Sequence, residues 1–198
     1  YMGTKSYVDR CASNATVTGT STYVGGITGS VSQTTSELTN CYNIGNISGT
    51  ASCAGVAGYN HKDAVIENLF SLGEVTGNKV AACVGGTSAK NKAKNIFATT
   101  EYDIFEGQTT VTVEQMAAGE VAYLLGEAFG QQIGVDAHPV LGGAHVYKVT
   151  YTTSLSEEAD SLYTNGQLPQ LEVVDGYRPV WKRSPDGEEV TEVAADCT

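Results

Sequence analysis

The side chains of this 198-residue chain best able to do chemistry are five cysteines, a scatter of carboxylates and three histidines. Cys11, Cys41, Cys53, Cys83 and Cys197 admit three readings: small buried filler, one disulfide, or a metal site. His61, His138 and His145 lack the i, i+4 spacing by which a helix presents two imidazoles to one metal ion. Gly25-Gly26 and Gly85-Gly86 could suggest a phosphate loop, but no Lys-Ser/Thr follows and no helix begins there. Tyr23, Tyr59 and Tyr163 are the aromatic residues to consider for stacking against a sugar, beside the simpler reading as surface tyrosines. The acid run Glu157-Glu158-Asp160 and the pair Glu188-Glu189 read as solvated faces.

These residues are positioned by a repeat. Val8-Asp9-Arg10-Cys11-Ala12, Leu38-Thr39-Asn40-Cys41-Tyr42 and Ile66-Glu67-Asn68-Leu69-Phe70 open three copies, and Ala93-Lys94-Asn95-Ile96-Phe97 begins a fourth. The offsets are 30, 28 and 27 residues. Each full copy continues to Thr16-Val17-Thr18-Gly19, Asn46-Ile47-Ser48-Gly49 or Glu74-Val75-Thr76-Gly77. A further phrase follows, Val24-Gly25-Gly26-Ile27-Thr28-Gly29, then Cys53-Ala54-Gly55-Val56-Ala57-Gly58, then Ala81-Ala82-Cys83-Val84-Gly85-Gly86. A period in this range marks a stacked array. The recurrent glycines speak against helices, and short β phrases separated by Gly and Asn speak for strands joined by tight turns. One copy cannot bury its own apolar positions. Copies stacked in parallel can, with equivalent residues about 4.8 Å apart.

Stacking gives the recurrent residues a physical task. Asn40, Asn68 and Asn95 are expected to form an amide ladder, ending where Arg10 takes the slot. Tyr42, Phe70 and Phe97 should form an aromatic column, broken by Ala12. Cysteine alternates with Val, Leu or Gly between copies, which favours free, buried thiols. Cys11 and Cys41 share one slot, where parallel side chains in register give poor disulfide torsion, while Cys53 and Cys83 are offset by two slots. Cys197 is expected to be exposed and able to cross-link chains. Asp9 and Glu67 fall in one column with Thr39 between them, roughly 9–10 Å apart, near the upper limit for an inverting glycosidase pair. That column continues as Lys94 and reads as an outward, solvated row. No residue is assigned as catalytic, cofactor-binding or metal-binding.

The phrases Asn40-Cys41-Tyr42-Asn43-Ile44-Gly45-Asn46-Ile47-Ser48-Gly49 and Val24-Gly25-Gly26-Ile27-Thr28-Gly29 resemble the GLUG motif of large secreted or wall-attached bacterial proteins, over residues 6–100. That family includes adhesin-like proteins and some IgA-cleaving metallopeptidases. The resemblance implies an extracellular β-solenoid and carries no catalytic residue.

Charge divides the chain near the same place. Residues 1–100 hold seven Lys/Arg and five Asp/Glu, a balance of +2; residues 101–198 hold four and seventeen, a balance of −13. The overall −11 excludes a nucleic-acid partner, which needs clustered cations. No long apolar run suggests a membrane span. The chain is read as a piece of a longer protein, so the lack of a leader says nothing about export.

Residues 101–145 are expected to form a capping segment. Thr112 and Gln115 fit a capping box. Val113, Met116, Ala117, Val121, Leu124 and Leu125 fall on one face of a helix over about 113–126, ended by Gly126. Gly-Glu-Val-Ala-Tyr-Leu-Leu (119–125) resembles the segment that closes such repeat regions, and a helix over the last strands would cover their edges. From residue 146, Tyr147-Lys148-Val149-Thr150-Tyr151 reads as a strand and Asn165-Gly166 as a turn. The order Gly176-Tyr177, Trp181, Asp186-Gly187, Asp196-Cys197-Thr198 resembles the Listeria–Bacteroides repeat, a small β-grasp-like module, here truncated.

The expected architecture is therefore mainly β: a short right-handed parallel β-helix (β-solenoid) of about three coils over 1–100, a helical cap over 101–145, and a β-grasp-like module over 146–198. The expected function is a non-enzymatic extracellular segment of a bacterial cell-surface protein, a stalk, spacer or interaction module, located at the cell surface or wall. Its partners are host glycans or glycoproteins and neighbouring modules of the same polypeptide, with no cofactor. The alternatives are a carbohydrate-binding module, or an accessory region of a large secreted peptidase or polysaccharide-degrading enzyme.

Overall fold

The computed structural model describes all residues except 33–34, 62, 87–92, 103–106, 154–155, 171–172, 174–178, 184–186 and 197–198. Gly176-Tyr177, Asp186 and Cys197 lie outside the described residues. The chain is mainly β, with parallel sheets. It divides into two compact units, 1–113 with 124–128, and 114–123 with 129–198.

In the first unit the repeat becomes three parallel sheets. The strands are β1 (Tyr7–Asp9), β2 (Ala12–Ser13), β3 (Val17–Gly19), β4 (Tyr23–Gly25), β5 (Glu37–Asn43), β6 (Ile47–Gly49), β7 (Ser52–Ala54), β8 (Val65–Ser71), β9 (Val75–Thr76), β10 (Lys79–Ala81), β11 (Ala93–Ala98) and β12 (Gln108–Thr110). One sheet runs β1-β5-β8-β11-β12 with β2 also on β5, the second β3-β6-β9, and the third β4-β7-β10. Each copy thus adds a strand to every sheet. The offsets of 30, 28 and 27 residues are the register itself: Val8 pairs with Leu38, Leu38 with Ile66, and Ile66 with Ala93. Beyond residue 100 the first sheet takes one more strand, β12, parallel to β11.

Alternation along each strand fills the interior. Leu38, Cys41, Ile66, Leu69 and Ile96 are fully buried in one cluster with Val31, Val56, Cys83 and Val84. Ile47, Cys53 and Val75 make a second, flanked by Val17, Val80 and Tyr102. Close stacking also explains two glycines. A Cβ at Gly45 would sit 2.1 Å from the Ala15 carbonyl oxygen, and one at Gly73 would sit 2.0 Å from that of Gly45. No larger residue fits at this turn, because backbone lies directly against it.

Two expectations need correction. In the third copy the phrase slips by one residue: Cys53 pairs with Val80, and Ala57 with Val84 rather than Gly85. Cys83 therefore occupies the Val56 slot, three positions from that of Cys53, not two. The single helix over about 113–126 is two, α1 (Val113–Ala117) and α2 (Glu120–Leu125). Gly119 between them has φ +91, a conformation that stops a helix as a left-handed C-terminal residue does. The break rotates the ends off the expected apolar face. Met116, Val121 and Leu125 are buried, whereas Val113 and Leu124 are exposed.

The second unit also contains β13 (Phe129–Gly130) with β14 (Val140–Leu141), and the antiparallel pair β15 (Tyr147–Thr153) with β16 (Ser156–Thr164). Asn165 ties its loops together. Its amide donates to the carbonyls of Gln131 (2.7 Å) and His145 (2.8 Å), and its oxygen accepts from the Ile133 N–H (2.7 Å). Gln131 is fully buried and donates to the Met116, Ala117 and Asp136 carbonyls.

Candidate functional site

The outer face of the long sheet carries the row of residues with most chemical potential. Asp9, Thr39, Glu67 and Lys94 are consecutive in register, so the column expected from the sequence exists. Asp9 is not free within it. Its Oδ1 accepts from Thr39 Oγ1 (2.8 Å) and Asn40 Nδ2 (2.7 Å), and Arg10 Nε lies 3.9 Å from its Oδ2. The Asn40 bond above all, then the Thr39 bond and the Arg10 charge, outweigh partial desolvation and hold the Asp9 carboxyl below its usual value. A carboxylate stabilised in its charged form is poorly suited to donate a proton near neutrality.

Beside this column runs the amide ladder. Asn95 Nδ2 donates to Asn68 Oδ1 and Asn68 Nδ2 to Asn40 Oδ1, each at 2.9 Å, and Asn40 passes its own donor to Asp9. The sequence reading placed the ladder but missed the backbone beneath it. Arg10, Asn40, Asn68 and Asn95 have φ of 52, 50, 55 and 54, and Gly107, next in register, has φ 104. The slot has positive φ at all five levels of the sheet, within the strand at Asn40, Asn68 and Asn95 and beside it at Arg10 and Gly107. Asn is among the few side-chain-bearing residues that tolerate this, and the recurrence of Asn at one slot is the signal that could have shown it. Arg has no acceptor, so Asn40 must turn to the neighbouring Asp9.

The aromatic column is also present: Tyr42 and Phe70 stack with centroids 4.6 Å apart and planes 5° from parallel, and Phe97 follows in register. Tyr23 and Tyr59, proposed separately from sequence, meet as a pair with centroids 4.8 Å apart, and Tyr23 is 37% exposed. Tyr163 belongs to the second unit, where it packs against Tyr123 at 5.6 Å, and Tyr123 hydrogen-bonds Asp196.

The cysteines and histidines do not converge on a metal: among the described residues no group of three His, Cys, Asp or Glu could hold one. His61 faces Asp63, His138 contacts the Pro139 carbonyl, and His145 meets Tyr147 edge to face. Cys11, Cys41, Cys53 and Cys83 are free thiols, and all but Cys11 are buried. Burial pushes the Cys41 thiol up to about 12 and raises those of Cys53 and Cys83.

Two contacts that sequence reasoning overlooked lie at the late edge of the sheets. The Tyr102 hydroxyl donates to the Val75 carbonyl (3.1 Å), and Gln108 Oε1 accepts from the Cys83 N–H (3.1 Å). Both give edge backbone groups a side-chain partner. Comparison with family models, curated proteins and solved structures returns no match.

Proposed function

We propose that this chain is a non-enzymatic spacer segment of a bacterial cell-surface protein, a β-solenoid stalk that holds neighbouring modules away from the wall. The supporting observation is the coil-to-coil use of its polar side chains. The Asn ladder, the Thr39–Asp9 bond and the Thr18–Ser48 bond (2.9 Å) join one copy to the next. Groups that a catalytic site would aim at substrate are here spent on holding the stack. The acidic region from residue 101 ends in a β-grasp-like module on this reading. The test is display on a wall-anchored scaffold with a distal epitope. Inserting the segment raises antibody access to the epitope, as an unrelated rigid spacer of equal length does. Unchanged access, or turnover of any glycan or peptide by the isolated segment, would refute the spacer reading.

A second reading, carbohydrate binding, is favoured by the Tyr23–Tyr59 pair, which offers aromatic surface at one place on the first unit. A glycan array separates the two, since binding that is lost in Tyr23→Ala promotes this reading over the spacer.

A further inference from the structure

We propose that Cys11 and Cys41 form a thiol–disulfide exchange site on the edge of the long sheet, where a small-molecule disulfide such as oxidised glutathione closes an intramolecular bond between the first two copies. The two residues occupy one slot, because Asp9 pairs with Thr39 on one side and Ala12 with Tyr42 on the other. The Cys11 N–H points at Cys41 Sγ, 3.4 Å away. Each thiol also donates to the carbonyl two residues back, Cys11 to Asp9 at 3.5 Å and Cys41 to Thr39 at 3.0 Å, so both side chains project in the same direction. In the next copies the slot is filled by Leu69 and Ile96, so among the described residues the pair occurs only here.

Access and freedom to move both favour this place. Cys11 is exposed and can meet a reagent, while Cys41 is fully buried beneath it. Parallel strands in register hold equivalent Cβ atoms about 4.8 Å apart with their side chains aligned, whereas a disulfide needs about 3.8 Å and a dihedral near about 90°, so closure must both draw Cys11 in and turn it. The first copy can supply that movement because β1 and β2 are bonded to β5 alone. An interior strand, held on both sides, could not.

The chemistry balances in two exchanges. The Cys11 thiolate attacks one sulfur of oxidised glutathione, forming a Cys11–glutathione disulfide and expelling one glutathione thiolate. The Cys41 thiolate then attacks the Cys11 sulfur, forming the Cys11–Cys41 bond and expelling the second. Two protein thiols are oxidised, one glutathione disulfide is reduced to two glutathiones, and the two thiol protons pass through solvent to the expelled glutathione thiolates. The second exchange is the slow one, since burial keeps Cys41 protonated at ordinary pH.

The test uses the full chain carrying Cys197→Ser, treated with oxidised glutathione at pH 8 and at pH 9, then followed by intact mass and a non-reduced peptide map. The expected product is about 2 Da lighter than the reduced chain and links the Cys11 and Cys41 peptides, with closure about tenfold faster at pH 9 because the thiolate fraction of Cys41 rises by that factor. In Cys41→Val the reaction stops at the glutathione adduct on Cys11. A stable Cys11 adduct in the Cys197→Ser chain, with Cys41 still open to alkylation after unfolding, overturns the proposal. A link from Cys11 to Cys53 or Cys83 overturns it as well.

Discussion

Asn68 sits at the middle of the ladder, and replacing it separates the two roles of its slot. Its amide donates to Asn40 and its oxygen accepts from Asn95, both at 2.9 Å, and its φ is 55. Asn68→Ala removes two part-buried hydrogen bonds, each contributing about 1 kcal/mol. It also places a Cβ with no local hydrogen bonding in the left-handed region, which costs about 1 kcal/mol more. The expected loss is about 3 kcal/mol. Asn68→Gly loses the same two bonds but is at ease at positive φ, so it should lose about 2 kcal/mol, plus a few tenths for the looser unfolded chain. Asn68→Asp keeps the backbone and the bond from Asn95, but sets an acceptor against the Asn40 oxygen, and should fall between wild type and Ala. Urea denaturation followed by circular dichroism, fitted for unit 1, gives the three values. Near-equal losses for Ala and Gly would refute the claim that the slot is conformationally demanding. Losses under about 0.5 kcal/mol for all three would refute the ladder itself.

Further consequences follow from neighbouring residues. Arg10 holds the same left-handed slot at φ 52, and among the described residues its side chain makes only a long contact to Asp9. Arg10→Gly should therefore stabilise by a few tenths of a kcal/mol in the same assay, the relief of about 1 kcal/mol at positive φ less the looser unfolded chain. Gly73→Ala drives a Cβ to 2.0 Å from the Gly45 carbonyl oxygen and should cost about 3 kcal/mol or abolish folding, whereas Gly126→Ala, with open space but φ +81, should cost about 1 kcal/mol. The Asp9 carboxyl is depressed in the folded chain, so its contribution is complete above the unfolded value near 3.8 and is lost as pH falls through the lower folded value. An NMR titration should show Asp9 moving up towards its ordinary value in Asn40→Ala, since the Asn40 bond is the largest cause of the depression; no movement would assign it elsewhere.

Much of the first unit was legible because a repeat converts sequence offset directly into register. Val8, Leu38, Ile66 and Ala93 align in the sequence and align in the sheet, and the aromatic and Asn columns follow from that. The slip in the third copy arose where the text is degenerate. Ala81-Ala82-Cys83-Val84-Gly85-Gly86 offers two glycines, and matching Gly86 to Gly58 was as natural as matching Gly85. The backbone decides: the Gly85 N–H bonds to the Ala57 carbonyl, and Gly85 lies too close to the Gly58 oxygen for any Cβ. The helix over 113–126 was read from apolar spacing, which does not register the left-handed turn at Gly119. The candidate site was legible as a list of residues but not as bonding. That Asp9 is held by two donors, and that Tyr23 and Tyr59 meet, depends on which side chains turn toward one another, and no spacing rule encodes that.

The central claim is parallel, in-register stacking of the copies, and methyl–methyl NOEs in the unmodified protein test it most directly. Register places Leu38 beside Ile66, Leu69 beside Ile96, and Ile47 between Val17 and Val75. All four pairs should give strong cross-peaks, with Ile47 reaching both valines although they lie 58 residues apart in the chain. A spectrum in which Ile47 contacts neither valine, or in which the Leu38 and Leu69 methyls meet other partners, would contradict the stack and the function proposed from it.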